Sequence, residues 1–271
     1  MKFPAPEGIR AHIHPDLFPY GNIEDGTIDQ IVEAEHWLRS QGCTHARGPL
    51  GATTWHAYRA VIETDGRAPF LGEPQFSPVV WEARGYSICA NYASALAPNS
   101  GQSESAQAHS SKLMDAGWTI DDLQSFGGFE AGLKCFHEIS TAAFTKAFAY
   151  TPLPLDAFRA MYAPIESIID PRMVLIAISP SGKPAAFCFS IPDQLNPETK
   201  QFIIKTLAVD PEHRRAGIGS WLTAAGHRKA HELGWTAGGI HALMWTDSHS
   251  RQISKHAGTI FRRYALYEKA L

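Results

Sequence analysis

The sequence is poor in cysteine: four in 271 residues, Cys43, Cys89, Cys135 and Cys188, none close to another. No C-x-x-C pair is present to build a thiolate metal site, and so few thiols make no disulfide framework; the usage suits a reducing compartment. An excess of positive charge is also missing. Lys and Arg total 24 against 27 Asp and Glu, a formal net charge of −3, which removes the main electrostatic argument for a nucleic-acid partner. No run approaches the roughly 20 apolar residues that cross a bilayer. The opening MKFPAPEGIR holds no apolar core of signal-peptide length. These absences predict a soluble, cytoplasmic protein with neither nucleic acid nor membrane as partner. What is present is ordinary for a packed globular chain, 44% hydrophobic and 19% charged over 271 residues. At about 150 residues per domain, that length points to two domains.

The weakest stretch for anchoring a core is Ala97–Ser111, APNSGQSESAQAHSS, which has almost no large apolar side chain. It places a boundary inside Ala97–Gly128 and divides the chain into residues 1–110 and 111–271. Before it, TIDQIVEAEHWLRSQGC has helical spacing ending at Gly42, and GYSICANYASAL alternates as a strand. After it, LKCFHEISTAAFTKAF and DAFRAMYAPIESII carry helical stripes, the second made of Phe158, Met161, Tyr162, Ile165 and Ile169. MVLIAIS and AAFCFSI flank Ser181-Gly182 as a hairpin. A strand at Phe202–Val209, a helix closed by Gly234, a strand GIHALMW, a short helix SRQISKHAG and a final strand FRRYALYE complete the order. Helix, helix, hairpin, strand, helix, strand, helix, strand predicts an α/β protein, a mixed sheet covered by helices. The first half echoes the later part of that order, a hint of partial internal duplication.

The chemistry is concentrated in KTLAVDPEHRRAGIGSWLTAAGHRKAHEL. An apolar strand runs through Asp210-Pro211 and Arg214-Arg215-Ala216-Gly217-Ile218-Gly219 straight into an amphipathic helix. The first turn of a helix leaves backbone N–H groups without partners at the positive end of its dipole, which makes an anion seat. Gly217 and Gly219 let a phosphate approach the main chain, and the two arginines add permanent charge. The Walker pattern G-x-x-x-x-G-K-[ST] and the dinucleotide pattern G-x-G-x-x-G are both absent.

Val209-Asp210-Pro211 followed by Arg214-x-x-Gly217-x-Gly219 resembles the acyl-CoA-binding motif of the GNAT superfamily of N-acyltransferases at every fixed position. The element order over roughly Phe129–Leu271 is similar to the whole GNAT fold. GPLGATTWHAYR and PFLGEPQFSPVVWEARGYSICANYASAL resemble the degenerate N-terminal half of tandem members; without R-x-x-G-x-G that half is expected to hold no CoA. The resemblance implies that the main chain of Leu207, Ala208 and Val209 binds the pantetheine arm. It further implies that the amides of Arg214, Arg215, Ala216, Gly217, Ile218, Gly219 and Ser220 hold the diphosphate. The motif strand and the strand at Ile240–Trp245 are expected to splay apart around the thioester. The implied activity is transfer of an acetyl or other acyl group from acetyl-CoA to the primary amine of a small molecule or peptide, without a metal. A CoA-binding sensor that performs no transfer is the alternative, and a homodimer is left open.

The resemblance also implies a tyrosine acid on the helix after the second splayed strand, where this chain has Ser254, so Ser254 is either a weak proton donor or a surface hydroxyl. Tyr264 and Tyr267 are either substitutes or packing residues. His241, on the second strand, is placed as a general base or as a buried, hydrogen-bonded histidine. Asp247 and His249 touch the cofactor or cap a helix. His227 and His231 are four apart, but H-R-K-A-H is not the zincin pattern, and a solvated helix face is the simpler account. His12-Ile13-His14 reads as strand or loop decoration. Trp55, Tyr58 and Trp81 are candidates to line a substrate pocket.

Overall fold

The computed structural model describes residues 5–98, 104–245 and 258–271. In chain order the elements are β1 (Ala11–Ile13), β2 (Tyr20–Ile23), α1 (Ile28–Ser40), β3 (His45–Gly48), β4 (Ala60–Thr64), α2 (Val79–Ala83) and β5 (Ser87–Ala97). Next come α3 (Glu104–Asp115), β6 (Thr119–Asp122), α4 (Phe129–Phe144), α5 (Leu155–Tyr162), β7 (Val174–Ile178) and β8 (Pro184–Pro192). The chain then forms β9 (Gln201–Val209), α6 (Ile218–Glu232), β10 (Gly238–Trp245) and β11 (Thr259–Ala270). Two compact units result. The first takes Met1–Ala93, Lys146–Thr151 and Ile260–Leu271, and the second Ser94–Thr145 and Pro152–Thr259. The first unit thus ends its N-terminal part inside β5 and also takes the last strand of the chain.

In the first unit β1 and β2 are antiparallel, β2 and β3 parallel, and β11 runs antiparallel to both β3 and β4. The parallel pair needs a crossover, and α1 supplies it. Its buried stripe of Ile31, Ala34 and Leu38 packs with Ile23, Ala46 and Trp81. Gly48 on β3 accommodates the Trp81 ring: a Cβ there would lie 2.0 Å from the indole. Two buried carboxylates are paired. Glu35 receives Arg84 at 2.7 Å and Lys269 at 3.0 Å, and Glu73 holds both Arg262 and the Tyr264 hydroxyl.

In the second unit β6, β7, β8 and β9 form an antiparallel meander, and β10 joins β9 in parallel. Alternation along β8 sends Ala186 and Cys188 to one face, against Trp221, Leu222 and Ala225 of α6. It sends Phe187 and Phe189 to the other, where Phe136 of α4 lies 4.6 and 5.7 Å away, ring to ring, and Tyr162 of α5 lies 5.5 Å from Phe189.

Two stretches differ from the sequence expectation. The apolar-poor seam contains α3, whose Leu113 joins the core beneath α6; one buried leucine is too little periodicity to read. The helix expected through DAFRAMYAPIESII stops at Tyr162, and Ala163–Ile168 tightens into a 3-10 helix. Pro164 brings no N–H to the α-helical ladder there. The expected short helix SRQISKHAG lies outside the described residues. Among the described residues no helix is long and apolar enough to cross a membrane.

Candidate active site at the β9–α6 junction

The motif strand lies at the centre of the second unit, and its two edges have different partners. Along β8 the register runs from Ala186↔Val209 to Phe189↔Thr206 and then jumps to Ser190↔Ile204, so Lys205 is an extra residue, a β-bulge. A bulge bends its strand and re-aims the side chains around it. On the other edge β10 pairs from Gly238↔Gln201 to His241↔Ile204. Successive main-chain N–H groups of a strand point to alternate edges. Within Leu207, Ala208 and Val209 part of the backbone therefore faces β8 and part faces the opposite edge.

Past Val209 the chain turns. Asp210 accepts the Glu212 N–H at 2.9 Å and caps a 3-10 turn over Pro211–His213, and the His213 ring meets Trp118 edge-on at 5.3 Å. Arg215 (φ +68°) and Gly217 (φ +81°) then both take left-handed backbone. Gly217 is the N-cap of the 15-residue α6 and contributes no side-chain cap. The amides of Ile218, Gly219 and Ser220 thus start a helix without a capping oxygen, and left-handed residues before them curl the main chain into an anion-binding concavity. That arrangement has the shape and polarity to seat a phosphate group. The Arg214 guanidinium donates to the Ala143 carbonyl at 2.5 Å, which ties the loop to the C-terminal turn of α4, where a cation is favourable. Arg215 and Ala216 are exposed at the mouth.

His241 is buried, 6% exposed, and its Nε2 sits 3.2 Å from Nε2 of His227 on α6. Burial lowers the His227 pKa to about 4, and burial together with His227 lowers that of His241 to about 3. The environment of His241 is that of a buried, hydrogen-bonded imidazole: neutral at pH 7 and a weak base. His227, half-buried, is thereby the partner of His241, whereas His231 stays exposed. Among the described residues no group of three potential metal ligands occurs.

Tyr264 and Tyr267 lie in the first unit with their hydroxyls on Glu73 and Glu82. Trp81 is buried edge-on to Tyr86, Tyr58 packs edge-on to Tyr92, and the Trp55 indole donates to the Thr151 carbonyl at 3.0 Å. His12 binds Glu24 at 2.7 Å, and His14 caps a 3-10 turn. Ser254, Asp247 and His249 lie outside the described residues.

Sequence reasoning passed over one feature. The bulge residue Lys205 extends its ammonium to 3.4 Å from the Tyr162 hydroxyl. The signal was available: Lys205 is the single charge in the apolar run F-I-I-K-T-L-A-V. In the sequence Tyr162 belongs to the apolar helical stripe of Phe158, Met161, Ile165 and Ile169, which conceals its hydroxyl.

The acetyltransferase (GNAT) family model matches residues 134–256. Among solved structures, the chain is similar to a GCN5-related N-acetyltransferase from Sphaerobacter thermophilus, with TM-score 0.56 and 13% identity over 96% of this chain and 76% of that one. It is also similar to a tandem GNAT protein from the clavulanic acid biosynthesis pathway (TM-score 0.52, 12% identity, 94% of this chain and 76% of that one). A third likeness is to the glucosamine N-acetyltransferase region of a fungal multi-domain β-N-acetylglucosaminidase, with TM-score 0.57 and 12% identity over 92% of this chain but 30% of that one. At such identities these structures establish the fold alone. No curated protein matches the sequence. By the family-model match, residues 134–256, which carry the R-x-x-G-x-G loop seated before α6, form a GNAT acetyltransferase domain.

Proposed function

We propose that the chain transfers an acetyl group from acetyl-CoA directly to the primary amine of a small molecule or peptide. The observation that carries this reading is the uncapped start of α6 behind two left-handed residues. A helix start normally recruits a Ser, Thr, Asp or Asn side chain, and one left bare suits an external anion. In this reading the amides from Arg214 to Ser220 hold the diphosphate, and main-chain groups of Leu207, Ala208 and Val209 align the pantetheine arm. Bound acetyl-CoA supplies a thioester carbonyl open to attack and a thiol leaving group.

Three demands then fall on the protein. An alkylamine, with a pKa of about 10, must lose a proton before it attacks. Charge developing on the acyl oxygen requires an N–H donor, a role for a β9 amide on the edge away from β8. The departing sulfur is helped by a proton. For that last role we assign Tyr162 rather than Ser254: its oxygen accepts from Lys205, which leaves its own O–H to donate. In its neutral pair, His241 supports the strand and does not take the amine proton.

The test is to mix the protein with acetyl-CoA and a panel of amines and follow free thiol. Gly217→Glu places a carboxylate in the seat and is expected to abolish acetyl-CoA binding by calorimetry. Ser220→Glu is the cleaner variant. An acidic residue in the first helical turn stabilises a helix by about 0.3–1 kcal/mol, so the fold is kept while affinity falls at least tenfold. Undiminished affinity in both variants would refute the site. Binding without thiol release from any amine would refute the transfer.

A further inference from the structure

The first unit contains the same local topology as the motif segment of the second: a strand, a crossover helix and a parallel strand. β2 and β3 pair in parallel through Tyr20↔His45 and Asn22↔Arg47 around α1, as β9 and β10 do around α6. The chemistry at the strand-to-helix turn is reversed. Where β9 leads into Arg214, Arg215 and a bare helix start, β2 leads into Glu24, Asp25, Gly26 and Thr27. Thr27 caps α1 by accepting the Gln30 N–H at 3.3 Å, while the Gln30 side chain accepts the Thr27 N–H at 2.9 Å. Both amides are consumed, so a diphosphate would meet a closed helix end and two carboxylates. This gives a physical reason for the first unit to lack a coenzyme seat.

That turn nevertheless borders a cavity of about 370 Å³, lined by Arg10, His12, Glu24, Asp25, His56 and Phe76 among others. The volume falls in the range of small-molecule sites. Its charge is unevenly compensated. Glu24 is engaged by His12 at 2.7 Å and Arg10 at 3.2 Å. Asp25, beside it and half-buried, makes no ion pair among the described residues, and only the more distant Arg10, the Trp81 indole and the Gly26 amide favour its anion. A carboxylate and an aromatic ring lining one cavity suit an alkylammonium: the carboxylate accepts its N–H donors and the ring packs against its apolar chain. Among the described residues no set of three ligating side chains is present to hold a metal ion there.

We propose that this cavity is a binding site for a small alkylamine, with the ammonium on Asp25 and the alkyl chain along Phe76. Burial raises the Asp25 carboxyl above its ordinary value, a penalty on its anion that an arriving cation relieves. The site stands apart from the acyl-transfer reading, since it uses residues of the first unit only.

The experiment is a ligand-detected NMR titration of the intact chain with n-butylamine, with n-butanol as the uncharged control and acetyl-CoA titrated separately. The amine is expected to bind and the alcohol not. Asp25→Asn should weaken the amine at least tenfold, and Ala57→Trp, which fills the cavity from an exposed rim position, should abolish it. Acetyl-CoA affinity should stay within twofold in both. Amine binding that survives Ala57→Trp, equal binding of the alcohol, or no binding at millimolar amine would overturn the proposal. Should Asp25→Asn fail to fold, Ala57→Trp decides. Loss of acetyl-CoA binding in the parent protein would bear on the acyl-transfer reading alone.

Discussion

The pair of half-buried His227 and buried His241 makes the second unit sensitive to acid, and the size of the effect can be worked out. Two Nε2 atoms 3.2 Å apart share one proton, so one ring is the Nε2–H tautomer and its partner carries its proton on Nδ1. A second proton between them would set two donors face to face. The folded pKa values of about 4 and about 3 lie below the ordinary value of about 6.5. Between these limits the unfolded chain therefore binds more protons than the folded one. Stability is full above about pH 7.5 and is lost progressively as the pH falls from 6.5 towards 4. At pH 5 the loss is about 2 kcal/mol for each histidine, roughly 4 kcal/mol for the pair. Urea unfolding from pH 5 to pH 8 would measure it, in the parent and in the double variant His227→Gln, His241→Gln. The parent should lose about 4 kcal/mol more than the variant between pH 7.5 and pH 5, since the other histidines contribute equally to both. Parallel stability curves would refute the neutral pair and return His241 to the list of candidate bases.

Further outcomes follow from the same contacts. Tyr162→Phe is expected to lower kcat ten- to a hundredfold with little change in acetyl-CoA affinity, as loss of a proton donor should; steady-state kinetics and calorimetry together check this. Gly226→Ala, inside α6, should stabilise by about 0.5–1 kcal/mol, because its Cβ would rest 3.6 Å from the Cys188 sulfur, an ordinary contact. By contrast, Gly48→Ala drives a methyl into the buried Trp81 ring and should cost about 1–3 kcal/mol. Chemical unfolding midpoints measure both.

How much of this was legible in the sequence depended on how local the cause was. The motif loop could be read because its chemistry is contiguous: Pro211, the two arginines and Gly217 dictate a turn into a helix start wherever the rest of the chain goes. The same holds for α1, which begins at its capping box and ends before Gly42, and for the β7–β8 hairpin at Gly182. Long-range pairing was not legible. Lys205 becomes a bulge only when β8 and β9 are laid side by side, and its approach to Tyr162 spans 43 positions of sequence. The burial of His241 could not be told from its strand position, because alternation leaves open which face meets α6. The helix α3 was hidden because its sequence, ESAQAHSSKLMD, offers only the adjacent Leu113 and Met114 as large apolar residues, too few to reveal a period. The membership of β11 in the first unit was invisible for the same reason: its partners β3 and β4 lie some 200 residues upstream.

That membership has a consequence for biosynthesis. Most of the first unit leaves the ribosome by Ala93, yet the strand that pairs with both β3 and β4 begins at Thr259. At about 5–20 residues per second, the nascent N-terminal part waits roughly 10–35 s for its closing strand. Every strand assigned wholly to the second unit has emerged by then. The order of maturation is therefore the reverse of the order of synthesis, and during that interval the open edges of β3 and β4 are the place where a chaperone, or an aggregate, would take hold.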